Sequence, residues 1–282
     1  MVPWGPIYPL SEEELQTLQE WLKGMERTGR IKRSTSPFES PILFVPKLHG
    51  WGLRLCVDYQ ALNRITIPNR YPLLLMQELQ DRVLGAQWFT KMDLKYGFHL
   101  IRMSKGDEWK SAFQTRYGLF EFQVILFGLT NAPSTFQDMM NPMFSDMLDV
   151  RVLAYMDDIL VYADTEERHD NMVKEVLRRL QDNSLTISPE KCVWRVQKVE
   201  FLGYIIGRNR IKMSEEKVKA VLKWRSPETL TEVQSFFGLA NFYRRFIQDY
   251  SRVARPLTAL TKKEQGKGWT WNPEAEAVIV EL

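Results

Sequence analysis

Residues 152–164 read VLAYMDDILVYAD, an apolar run broken at its middle by two adjacent aspartates, Asp157 and Asp158. Few folds accommodate that pattern. The flanking segments are rich in β-branched and aromatic residues and favour burial as strands. Two carboxylates held together in a low-dielectric setting repel each other, and each resists losing water. The stretch therefore reads as a hairpin, with strands over 151–156 and 159–163 and the aspartates at its tip. There they either face solvent at a plain turn or share something strongly positive between them.

The surrounding pattern frames this hairpin. SEEEL at 11–15 opens a helix: Ser11 and Glu14 have capping-box spacing, Leu15, Leu18, Leu22 and Met25 follow on one face, and Gly29 stops it. Two short strands, 42–45 and 53–59, flank a Gly-containing loop, and a helix is expected over 73–84. Strand character lies on both sides of Asp93, and 111–125 reads as a hairpin turning at Tyr117 and Gly118. Asn131 and Pro133 open a helix that Pro142 should kink or end. A helix over 165–180 carries Met172, Val173, Val176, Leu177 and Leu180 on one face, and 199–206 pairs with 210–213 as a further hairpin. From Ser214 the texture is helical. One helix stops near Pro227, and a second, capped by Thr229 and Glu232, carries Val233, Phe236, Ala240, Tyr243 and Ile247. The class is α+β, with a mixed body followed by a helical unit.

Composition narrows the function. The 282 residues, 44% hydrophobic, can build a core across more than one subdomain, and no run of eighteen apolar residues suggests a membrane span. The start lacks the pattern of a secretory signal. Cys56 and Cys192 are the only cysteines, which suits a reducing, intracellular setting and excludes a cysteine-rich metal framework. His49, His99 and His169 show no ligand spacing. The net charge of +3 is nearly neutral, but basic residues cluster at 27–33, 241–246 and 254–263. Such patches serve a polyanion or are ordinary solvated charge. Asp93, at the end of an apolar strand, is a third carboxylate of the same kind as the pair. Magnesium takes carboxylate and water oxygens, and phosphoryl transfer depends on positioning and positive charge. Read from chemistry alone, a metal site and a polar hairpin tip both remain open.

The motifs, taken in order, resemble a known family. LRLCVDYQALN (53–63), FTKMDLKYGFHLIRM (89–103), LFGLTNAPSTFQ (126–137), YMDD (155–158), VEFLGYII (199–206) and VQSFFGLANFYRRFI (233–247) follow the order and spacing of retroelement reverse transcriptases, most similar to gypsy-type LTR retrotransposon polyproteins. The resemblance implies a right-hand polymerase fold: fingers at 1–68 and 101–131, palm at 69–100 and 132–210, a helical thumb at 211–263, and the start of a connection or RNase H linker at 264–282. It implies an RNA-directed DNA polymerase, a nucleotidyltransferase whose Asp93, Asp157 and Asp158 bind two Mg2+ ions, with Mn2+ able to substitute. It further implies that Lys47 and Arg54 grip the triphosphate of the incoming nucleotide. Phe98 matches the aromatic under the sugar, where it would exclude a ribose 2′-hydroxyl. Phe127, Gly128 and Met156 match further contacts to nucleotide, template or primer. Phe201, Leu202, Gly203 and Tyr204 match the primer grip, and Arg244 and Arg245 sit on a thumb helix that tracks the duplex. Its partners would be an RNA template, a DNA or RNA primer and dNTPs, with no membrane. As a polyprotein fragment it would act in the cytoplasm or, in an intact element, in a virus-like particle.

Four positions depart from the family wording: Gln60, Leu100, Leu126 and Pro142. None removes a carboxylate. They leave room for a decayed relic that binds nucleic acid without polymerising; a metal nuclease sharing the acidic trio is a second rival.

Overall fold

The computed structural model describes residues 4–47, 52–72, 79–148, 150–261, 275, 277 and 278. They fall into two units, Met1–Gln197 and Lys198–Leu282. Among the described residues no helix is long and apolar enough to cross a membrane.

In the first unit, helix α1 (Glu12–Arg27) carries both halves of the capping box at Ser11 and Glu14 and buries Leu18, Leu22 and Met25. These residues pack against a three-stranded sheet, in which β1 (Ile31–Arg33) and β5 (Phe113–Thr115) flank β6 (Gly118–Phe122). The β5–β6 turn falls at Arg116 and Tyr117, one residue before the expected position, because Thr115 pairs with Gly118. Strands β2 (Ile42–Pro46) and β3 (Leu53–Val57) form a separate hairpin, and helix α2 (Gln60–Ile65) follows it. Leu126, one of the departures, is buried in the same core as α1. Of the helix expected over 73–84, α3 spans Leu79–Arg82, and 73–78 lie outside the described residues.

The second layer of this unit is a four-stranded sheet in the order β7-β8-β4-β9, with β4 at Trp88–Asp93, β7 at Val152–Tyr155, β8 at Asp158–Ala163 and β9 at Val193–Val196. The expected strand beyond Asp93 is absent. Tyr96 and Gly97 turn the chain through positive φ (73° and 44°), and Gly97–Leu100 coils as a 3-10 turn. Helices α4 (Ala132–Phe144) and α5 (Glu166–Asp182) cover one face of the sheet. Side chains alternate across a strand, so that face collects Met92, Val152, Ala154, Ile159 and Val161, packed against Phe136, Met140, Phe144, Val176 and Leu180. Helix α4 contains Pro142 and ends two residues later, at Phe144. Arg179 of α5 bonds to the Met143 carbonyl (2.9 Å) and to both oxygens of Asp146, tying that end of α4 to α5.

In the second unit, 199–206 is not a single strand paired with 210–213. It is itself a hairpin, β10 (Lys198–Phe201) and β11 (Tyr204–Gly207), and β12 (Arg210–Met213) adds to it. Helices α6 (Glu215–Leu222), α7 (Leu230–Phe242), α8 (Tyr250–Val253) and α9 (Arg255–Leu260) follow. The expected helix through Arg245 is shorter than its motif. It ends at Phe242, and Arg244–Phe246 form a 3-10 turn. Val233 and Phe236 of α7 meet Val253, Leu257 and Leu260 in a small core. Apart from 275, 277 and 278, the segment expected to begin a connection lies outside the described residues.

Candidate active site

The parity that buries Met92 and Ile159 sends their neighbours to the opposite face. Asp93 pairs directly with Asp158 across β4 and β8, and Tyr155 pairs with Asp158 across β7 and β8. Residues directly opposite each other in an antiparallel pair have Cα atoms about 4.5–5.5 Å apart, with side chains on one face. Two carboxylates 65 positions apart in sequence therefore stand side by side at one end of the sheet. Asp157 occupies the adjoining turn, where its carbonyl accepts the Leu94 N–H at 2.9 Å. Its carboxylate lies against Gly97: a Cβ there would come within 3.3 Å of Asp157 Oδ2. The structure thus brings all three predicted carboxylates together.

Their charges are partly answered by two lysines that sequence reading missed. Lys191 Nζ sits 3.2 Å from Asp93 Oδ1, and Lys91 Nζ sits 3.2 Å from Asp158 Oδ1. Lys91 is two residues before Asp93 on the same strand, so its position on this face was legible; Lys191 is brought in by the chain that crosses beside Asp93, where the Ser188 N–H bonds to the Asp93 carbonyl at 2.8 Å. Burial pushes the Asp157 carboxyl above the ordinary range. The negative charges of Asp158 and Asp93 add to that, and Lys191 opposes it.

Among the described residues no three acidic, imidazole or thiol side chains stand close enough together to hold a metal ion by themselves. The donor chemistry nonetheless fits a cation. The Oδ1 of Asp158 is buried and makes no hydrogen bond, with the Lys91 Nζ beside it only as an ion-pair partner. Magnesium needs only one or two carboxylates when substrate phosphates and waters complete its shell.

The other predicted residues are distributed as follows. Lys47 N–H bonds to the Gly52 carbonyl (3.1 Å), extending the β2–β3 ladder in which Val45 opposes Arg54. Lys47 and Arg54 therefore share one face of that hairpin, both exposed and without an ion-pair partner among the described residues. Phe98 is half-buried between Phe136 (ring centroids 5.3 Å apart) and Phe127 (6.0 Å). Phe127 itself is 77% exposed. The Asn63 amide fixes the loop after it, donating to the Gly128 carbonyl (2.8 Å) and accepting from the Thr130 N–H (2.9 Å). Met156, first of the two turn residues between β7 and β8, has φ 52°.

In the second unit, Phe201 and Tyr204 are core residues, and Tyr204 stacks on Phe242 with centroids 5.5 Å apart. What the β10–β11 hairpin presents is its turn, Leu202 and Gly203, both at positive φ. Arg244 and Arg245 are exposed in their 3-10 turn.

Residues 46–206 match the protein-family model described as "Reverse transcriptase (RNA-dependent DNA polymerase)". The chain is 37% identical over 272 residues to the Transposon Tf2-3 and Tf2-4 polyproteins of Schizosaccharomyces pombe, a match covering 96% of this chain and 20% of each polyprotein. It thus spans about a fifth of the length of these relatives. Its fold is similar to that of a foamy viral protease-reverse transcriptase in complex with double-stranded DNA (TM-score 0.85, 23% identity, 99% of this chain and 49% of that one). It is also similar to a foamy viral protease-reverse transcriptase in complex with an RNA/DNA hybrid (TM-score 0.82, 23% identity, 100% of this chain and 38% of that one).

Proposed function

Because this chain belongs to the reverse transcriptase (RNA-dependent DNA polymerase) family, we propose that it is the polymerase core of a gypsy-type LTR retrotransposon polyprotein, adding deoxynucleotides to a primer on an RNA template. In this reading residues 1–68 and 101–131 act as fingers, 69–100 and 132–210 as palm and 211–263 as thumb. The observation that carries the reading is the strand register that sets Asp93 opposite Asp158, with Asp157 on the adjoining turn.

Asp93, Asp157 and Asp158 would hold two magnesium ions, for which manganese could substitute. When bound, such cations supply Lewis acidity at the attacking and leaving oxygens of an in-line displacement. The chain's own side chains do the rest. Lys47 and Arg54, on one face of the fingers hairpin, neutralise the triphosphate that leaves as pyrophosphate. Phe98, backed by Phe136, fills the space a ribose 2′-hydroxyl would need and so selects deoxynucleotides. Phe127, Gly128 and Met156 contact nucleotide, template or primer. The Leu202–Gly203 turn, rather than the buried rings of Phe201 and Tyr204, positions the primer 3′-hydroxyl. An error of about 1 Å there costs on the order of a hundredfold in rate. Arg244 and Arg245 contact duplex phosphates, giving binding that weakens with salt. The free thiols of Cys56 and Cys192 suit the reducing cytoplasm.

Primer extension on an RNA template with magnesium tests this directly. The wild-type chain extends the primer, and Asp157→Asn lowers the rate by at least about a hundredfold. Activity untouched by that substitution would overturn the metal-site assignment, and duplex binding without any extension would favour the relic.

A further inference from the structure

One buried polar side chain of α4 reaches the turn that carries Asp157. Gln137 is 2% exposed. Its Nε2 donates to the Ala154 carbonyl (3.0 Å) and to Asn141 Oδ1 (2.7 Å), and its Oε1 accepts the Met156 N–H (3.0 Å). Both amide hydrogens are thereby used. The amide cannot be reversed, because a backbone N–H only donates and a carbonyl only accepts.

The location gives these bonds their consequence. Strand β7 lies at the edge of its sheet, so polar groups that it turns away from β8 have no ladder partner. Left unpaired under α4, each would carry the desolvation cost of a buried orphan. Gln137 stands in for the missing strand over Ala154 and Met156. Met156 is the residue that needs help. It adopts φ 52°, a left-handed backbone that strains a residue bearing a side chain. The next residue is Asp157.

We propose that Gln137 is a positioning residue for the polymerase reaction: by pinning Ala154 and Met156 it holds the turn in the strained form that aims Asp157 at the reacting phosphates. The proposal rests on the polymerase reading above. Gln137 does not act alone. Asn141 donates in turn to the Tyr71 hydroxyl (3.0 Å), and the adjoining Asn69 gives its N–H to Asn131 Oδ1 (2.8 Å). A polar relay therefore ties the segment around Tyr71 to the catalytic turn through two side chains one helical turn apart.

Three graded variants of the whole chain test it: Gln137→Met (similar length, no polar atoms), Gln137→Asn (one methylene too short) and Tyr71→Phe, which removes one hydroxyl at the far end of the relay. Each is read by amide hydrogen exchange of 153–158 and by single-nucleotide incorporation on a primed RNA template. For Gln137→Met the Met156 amide exchanges at least about tenfold faster, kcat falls about a hundredfold, and the KM for dNTP stays within about twofold. Gln137→Asn behaves the same way, more mildly, and Tyr71→Phe raises exchange severalfold with a small loss of kcat. Wild-type exchange at Met156 together with wild-type kcat in Gln137→Met would overturn the proposal, as would a rise in KM with kcat unchanged. If Gln137→Met fails to fold, Gln137→Asn and Tyr71→Phe decide by the same two readouts. A wild-type chain that extends no primer defeats the polymerase reading, whereas the exchange measurement still reports whether Gln137 holds the turn.

Discussion

Two hairpin tips in this chain solve a similar geometric problem with different means. The β10–β11 turn places Leu202 and Gly203 at φ 52° and 81°, the sign pattern of a type I′ turn, with glycine at its second position. The β7–β8 turn has positive φ only at Met156, the pattern of a type II′ turn, whose first central position normally takes glycine. One hairpin meets part of the conformational demand by residue choice. The other puts a methionine where glycine belongs, follows it with two aspartates, and relies on a side chain from a different element to hold the result. The turn that presents backbone rests mainly on residue choice, with one long bond from Tyr243 Oη to the Gly203 carbonyl (3.4 Å) beside it. A turn that must present charge at a fixed point needs tertiary support.

That contrast can be broken in several ways. The largest effect is expected at the charged tip: Asp93→Asn or Asp158→Asn lowers primer extension at least about a hundredfold, whereas thermal denaturation shifts little or upward, since each removes charge from a crowded acidic cluster. Gly203→Ala tests the other tip. Its Cβ would meet Tyr243 Oη at 2.9 Å, at a φ that itself costs roughly 1–2 kcal/mol. It should lower the denaturation midpoint and, through a displaced turn, extension as well. Unchanged stability there would mean that neither the positive φ nor the close approach of Tyr243 constrains the turn. Met156→Gly should do the reverse, stabilising the chain by up to about 1 kcal/mol while slowing incorporation, because the relieved backbone no longer fixes Asp157. The smallest effect is expected at the counter-ion. Lys191→Met removes an exposed cation from Asp93, so the magnesium needed for half-maximal thermal stabilisation should fall about threefold. A rise would show that the lysine helps rather than competes with the ion.

Much of this site is written in local sequence. The apolar flanks of Asp157 and Asp158 require a hairpin, and the spacing of Leu18, Leu22 and Met25 places α1. The misses share a cause. The strand expected beyond Asp93 has suitable side chains, but Tyr96 and Gly97 turn the backbone away from a ladder. The helix motif through Arg245 has helical spacing, yet α7 ends at Phe242, where Tyr243 turns inward against Tyr204 and its hydroxyl donates to the Gly203 carbonyl at 3.4 Å. Nothing local sets Gln137 apart from the other polar residues of α4; its burial depends on which strand lies beneath.

Strand periodicity and the repulsion of adjacent anions are local facts, and they alone put two carboxylates at a hairpin tip and a third of the same kind at the end of an apolar strand. It takes the folded chain to face Asp93 with Asp158, to bring Lys91 and Lys191 against them, and to bond Gln137 to the turn between. Strand order and register are fixed by packing between segments distant in the chain, and no local propensity encodes which residue of one strand stands opposite which residue of another.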